Sequence, residues 1–98
     1  LAEGVRPDQQ RDILQTIKRF FPNARIFAFG SRITKTASPY SDLDIAIDAG
    51  IPLTWSQLAL LKQTFSDSDL PFQVDLVDMA LVDPEFQQLI LRSASQWE

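Results

Sequence analysis

With 98 residues, 45% of them hydrophobic, the chain is long enough to bury one core and too short for two domains. Nine Lys and Arg stand against thirteen Asp and Glu, with a pI near 4.6, which argues against direct binding of a polynucleotide backbone. The absence of His and Cys removes Ser-His-Asp and Cys-His catalysis, the usual zinc sites, thiol redox chemistry and disulfides, leaving carboxylates, lysine and hydroxyls for any chemistry.

The elements follow from spacing and punctuation. Leu1-Ala2-Glu3-Gly4-Val5 has no signal-peptide character, and no apolar run approaches the roughly 18 residues that span a bilayer, so a soluble cytoplasmic protein without a membrane partner is expected. Pro7 and Asp8 suit a first helical turn, after which Ile13, Leu14, Ile17 and Phe20 recur at helical spacing until Phe21-Pro22-Asn23. Residues 25–29 read as a strand. The polar stretch from Ser31 to Ser41 reads as a short helical or looped connection, with Pro39 just ahead of a second strand over 43–48.

Thr54 is placed to cap a helix with Leu58, Leu61 and Phe65 on one face, and Ser66-Asp67-Ser68-Asp69 is a turn cluster. Residues 72–78 form a third strand, with Phe72, Val74 and Leu76 on one face and Asp75 and Val77 on the other. Asp83-Pro84-Glu85 opens a last helix expected to run toward Trp97. The strand-helix-strand unit from Leu43 to Val77 should be a right-handed crossover with parallel strands, and the first strand should lie antiparallel to the second. The expected fold class is therefore α+β, a two-layer single domain over 1–98 with a small mixed sheet packed against helices. Trp55 and Trp97 are expected to cover the core or a partner interface, and Tyr40 to pack within the connection.

The richest local signal is Gly30-Ser31 followed, after ten residues, by Asp42-Leu43-Asp44. Gly30 ends an apolar strand, and a residue without Cβ lets backbone N–H groups approach a phosphate, with the Ser31 hydroxyl at the same point. Asp42 and Asp44 open the next strand and, two residues apart, project from one face. Two converging hard oxygen ligands suit Mg²⁺, which is usually held by one or two carboxylates plus substrate phosphates. Asp75 interrupts the apolar run Val74-Asp75-Leu76-Val77, where a charge is costly without partners, so a third metal-ligating carboxylate is expected there. Asp78, on the opposite face, is expected to be a solvated turn acid. Arg32 and Lys35 read equally as triphosphate contacts or as ordinary loop charges.

The stretch from Phe29 to Ile47, with Gly30-Ser31-Arg32 and Ser41-Asp42-Leu43-Asp44, resembles the signature of the DNA polymerase β-like nucleotidyltransferase superfamily, and most closely its minimal nucleotidyltransferase (MNT) group, of the kind paired with HEPN proteins in toxin–antitoxin modules. Members often have Gly where this chain has Lys35. The resemblance implies a nucleotidyltransferase fold, two Mg²⁺ ions held by Asp42, Asp44 and Asp75 as catalytic residues, ATP as donor, and Gly30, Ser31, Arg32 and Lys35 around its phosphates. It also implies transfer of AMP to a hydroxyl on a HEPN partner, with this chain as the antitoxin subunit. A non-catalytic subunit that neutralises the partner by binding, and nucleotidylation of a small molecule, are the alternatives. Homo- or hetero-oligomeric assembly is left open by the sequence.

Overall fold

The computed structural model describes residues 2–38 and 40–98; Pro39, read above as the lead-in to the second strand, lies outside them, as does Leu1. Among the described residues the elements are α1 (Pro7–Phe20), β1 (Arg25–Phe29), α2 (Ser31–Thr34), β2 (Leu43–Asp48), α3 (Trp55–Ser66), β3 (Val74–Asp78), α4 (Pro84–Ser93) and β4 (Ser95–Gln96). The strands form one mixed sheet in the order β3-β2-β1-β4. β1 and β2 are antiparallel and β2 and β3 parallel, as the connection lengths predict.

Strand alternation sorts the side chains into two cores. Ile26 and Ala28 of β1, Leu43, Ile45 and Ile47 of β2, and Leu76 of β3 meet α1 through Ile13 and Ile17 and α3 through Leu61 and Phe65. On the other face Phe27 and Ala46 meet Ile90 of α4. The helices start where their caps place them: Thr54 Oγ1 accepts from Gln57 N–H at 3.1 Å, and Asp83 Oδ1 accepts from Phe86 N–H at 2.8 Å ahead of Pro84. None of the helices among the described residues is long and apolar enough to cross a membrane.

The last helix does not reach Trp97. It ends at Ser93, and Ala94 turns extended so that β4 pairs antiparallel with β1. Trp97 N–H donates to Ile26 O at 2.8 Å and Ile26 N–H to Glu98 O at 3.0 Å, while the indole is buried in the larger core. Satisfying the open edge of β1 and burying an aromatic outweigh one more turn of a helix through Ser93, Ala94 and Ser95. Trp55, by contrast, is 86% exposed.

Asp78 also departs from expectation. It is buried rather than solvated: Oδ2 accepts from Leu53 N–H at 2.9 Å and Oδ1 from Ala80 N–H at 3.0 Å. The carboxylate thereby ties the approach to α3 to the end of β3; the Ala80 bond is local, but the one to Leu53 spans 25 residues and has no local sequence signal.

Candidate active site

The sheet register gathers the acids. Asp44 lies opposite Phe29 on β1 and opposite Asp75 on β3. Residues in register share a face, so the Asp44 and Asp75 side chains stand side by side, on the face that α4 covers further along. Asp42, two residues ahead of Asp44, projects to the same side and is exposed. Gly30 closes the row from the β1 end. Its φ of 79° is in the left-handed region, and a Cβ there would collide with Asp44 Oδ2, so both the backbone angle and the neighbouring carboxylate demand glycine. Ser31 follows as the first residue of α2. The structure thus brings Gly30, Ser31, Asp42, Asp44 and Asp75 to one corner of the sheet.

The electrostatics of that corner are dominated by crowding. The Asp44 carboxyl is pushed up to about 6, first by its burial, then by the charges of Asp75 and Asp42 and by a hydrogen bond with Asp75. Below about pH 6 the acids relieve their crowding by holding a proton on Asp44; above it the negative charges face one another, and a divalent cation would offset them. Among the described residues no three carboxylates close into a ready-made coordination shell. The donors present at this corner, carboxylate oxygens without nitrogen or sulfur, are of the type that suits a hard divalent ion. An open cleft of about 640 Å³ adjoins Asp42 and Asp75 on the β3 side. Tyr40 stands on its rim and is 91% exposed, so it does not pack within the connection.

Arg32 and Lys35, alike in sequence terms, are treated differently. Arg32 is buried, with its guanidinium spent inside the protein: Nε and Nη2 donate to Ser41 O at 3.1 and 2.7 Å, Nη1 donates to Glu3 O at 2.7 Å, and the group lies 4.7 Å from the centre of the Phe72 ring. One side chain therefore fixes the carbonyl immediately before Asp42, the N-terminal segment and the approach to β3. No sequence pattern announces this, because the acceptors are backbone carbonyls that look alike in any sequence.

Lys35 is exposed and holds φ 65°, ψ 30°, ending α2 in the left-handed conformation that glycine favours. The residue that often stands here in the resembling family is the one this conformation favours. Lys35→Gly is accordingly expected to raise stability by about 1 kcal/mol by relieving the Cβ contact, measured by chemical denaturation. An ATP titration of the same variant then reads the ammonium: a several-fold loss of affinity assigns it to the triphosphate, and an unchanged affinity to the loop.

A family model for polymerase β nucleotidyltransferases matches residues 11–96. The chain belongs to this family. Within it, this nucleotidyltransferase domain is 43% identical over 86 residues to a Haemophilus influenzae protein described as a probable protein adenylyltransferase, MntA, spanning 88% of this chain and 75% of that one. Among solved structures it is similar to a chain of a toxin–antitoxin complex with AMP-PNP, at a TM-score of 0.77 and 28% identity over 89% of this chain and 70% of that chain. It is also similar to a chain of a complex of tri-AMPylated Shewanella oneidensis HEPN toxin with MNT antitoxin, at a TM-score of 0.69 and 28% identity, covering 89% and 66% of the two chains. The nucleotidyltransferase fold and the MNT group, expected from the resemblance of the Phe29 to Ile47 stretch, are those of the protein.

Proposed function

We propose that this protein transfers AMP from ATP to a hydroxyl on a HEPN partner, as the MNT subunit of a toxin–antitoxin pair working in the cytoplasm. The observation that carries the reading is the pair Asp44 and Asp75, side by side on neighbouring strands, with Asp42 on the same face and Gly30, just past the end of β1, against the Asp44 carboxylate. The likeness to a probable protein adenylyltransferase and to MNT and HEPN complexes supports the choice of nucleotide and acceptor.

Each residue has a part that its position supports. Gly30 and Ser31 anchor the β and γ phosphates at the end of β1. Asp42 and Asp44 are the acids best placed to hold Mg²⁺ against the triphosphate, with Asp75 completing the set; the hard oxygens and the negative charge crowded around Asp44 fit such an ion. Magnesium, when bound, supplies positive charge at the α-phosphate and at the departing pyrophosphate. Asp75, at the β3 side of the row, orients the acceptor hydroxyl and takes its proton. The hydroxyl oxygen bonds to the α-phosphorus as the bond from that phosphorus to the bridging oxygen breaks, and pyrophosphate leaves. Arg32 acts at one remove, by fixing Ser41 and hence the start of Asp42's strand. Lys35 is the loop cation offered to the triphosphate.

The test uses labelled ATP and Mg²⁺ with and without the HEPN partner. The expected result is little turnover alone and label moving onto a Tyr, Ser or Thr of the partner, read as an added AMP by intact mass. Equal labelling of RNA or of an aminoglycoside with no partner present would overturn the protein-acceptor reading, and tight binding of the partner with no label transferred would favour a subunit that neutralises by binding alone.

A further inference from the structure

β3 is the last strand on its side of the sheet, and among the described residues nothing pairs with its outer edge. Gln73 O accepts from Leu43 N–H at 2.8 Å and Met79 N–H donates to Ile47 O at 3.0 Å, so the odd-numbered residues turn their backbone groups toward β2. Alternation then points the N–H and C=O of Val74 and Leu76 away from the sheet. The 640 Å³ cleft runs along this edge, lined by Gln73, Val74 and Leu76, by Lys62 of α3, and by Asp42 and Asp75. A row of outward backbone donors and acceptors therefore leads directly to two of the site's carboxylates.

The chemistry decides which reactant belongs there. Displacement at phosphorus places the attacking and leaving oxygens in line, on opposite sides of the α-phosphate. With the outer phosphates anchored at Gly30 and Ser31, pyrophosphate departs toward β1 and the hydroxyl must arrive from the side of β3. We propose that the cleft along the outer edge of β3 is the acceptor subsite, and that it takes an extended peptide segment which adds to β3 as a further strand and carries its hydroxyl to Asp75. This rests on the nucleotidyl-transfer reading above and names its acceptor class.

Strand addition explains both hold and register. Backbone bonds to Val74 and Leu76 bind the segment with little regard to its sequence, and the segment residue in register with Asp75 projects onto Asp75's face. Lys62 gives the same cleft a cation for an acidic side chain on the segment. The proton leaves the hydroxyl for Asp75, the oxygen bonds to the α-phosphorus of ATP, and pyrophosphate is released.

The probe is a capped hexapeptide alternating Val and Thr around one Tyr and ending in Asp, used with the full chain, ATP and Mg²⁺. Amide hydrogen exchange by NMR should slow about tenfold at Val74 and Leu76 on adding peptide, and AMP should reach its Tyr about tenfold faster than it reaches N-acetyltyrosinamide, the worth of one or two backbone hydrogen bonds. The same peptide N-methylated at alternate residues should lose both effects. Equal behaviour of the methylated peptide overturns the proposal. So does protection of Val74 and Leu76 by ATP and Mg²⁺ alone, which would put the nucleotide in the cleft, or by raised protein concentration alone, which would put a second copy there. Transfer to Tyr without protection sinks the edge subsite and leaves nucleotidyl transfer standing; protection without transfer to any hydroxyl does the reverse.

Discussion

Asp44→Asn is expected to make the protein melt at a higher temperature at neutral pH while ending nucleotidyl transfer. The wild-type carboxyl holds its proton to about pH 6, against an ordinary value of 3.8, because of burial and the charges of Asp75 and Asp42. Between those two values the folded state binds the proton more tightly than the unfolded state, so this group favours folding below pH 4 and loses that contribution as pH rises through 6. At pH 7.5 the charged carboxyl then costs about 1–2 kcal/mol, after allowing for solvent screening of a partly exposed group. An amide of the same shape carries no charge and can still donate to Asp75. The variant should gain about 4–8 °C in melting temperature per kcal/mol relieved. It should also lack the wild type's fall in stability between pH 4 and pH 7.

Asp48, held below its ordinary value chiefly by Arg25, contributes a slope of opposite sign at lower pH, so the effect of Asp44 is read as the difference between the two proteins. Transfer should fall by about 10³-fold or more, the several kcal/mol that a metal-held phosphoryl site supplies. Retained transfer in a variant that melts higher would separate the carboxylate crowding from the chemistry and remove Asp44 from the site.

The two acids of β3 should respond in opposite ways. Asp75 is exposed beside Asp44 and the cleft, so Asp75→Asn should leave the melt at or slightly above that of the wild type, its charge no longer repelling Asp44, and slow single-turnover transfer by about 10²–10⁴-fold, the usual worth of a positioned general base. ATP affinity should suffer less, since Asp42 and Asp44 remain. Asp78→Ala removes the acceptor of two N–H groups, those of Leu53 and Ala80, in a partly buried setting. Leaving them unpaired costs about 2–4 kcal/mol, a large share of the roughly 5–15 kcal/mol that stabilises a domain. A fall of about 10 °C or more in melting temperature is expected. Asp78→Asn, which keeps one carbonyl acceptor, should fall between, with normal transfer below its melt. A larger rate loss in folded Asp78→Asn than in Asp75→Asn would mean that the strand register assigns the wrong acid to the site.

What the sequence by itself determined is whatever depends on local period and on residues with one strong physical use. Gly30-Ser31, followed after ten residues by acids two apart, announces a tight glycine turn and a two-carboxylate strand start, and the order of apolar runs is enough for the mixed sheet with β2 and β3 parallel. The positions of Pro7, Thr54, Asp83 and Pro84 mark the helix starts. What only the tertiary structure decided is whatever depends on partners distant in the chain.

Period-2 alternation already puts Asp75 and Asp78 on opposite faces, but that Asp78 is buried and accepts from the backbone of Leu53, instead of meeting solvent, depends on which element packs against its face. Arg32 and Lys35 are both loop cations until the fold encloses one among carbonyls and leaves the other outside in a left-handed turn. The short β4 has no periodic signal at all: two residues cannot show a pattern, and only the open edge of β1 and the buried indole of Trp97 draw them into the sheet. Hydrogen-bond acceptors on the backbone and edges awaiting a partner carry no side-chain identity, so they become visible only when the chain is folded around them.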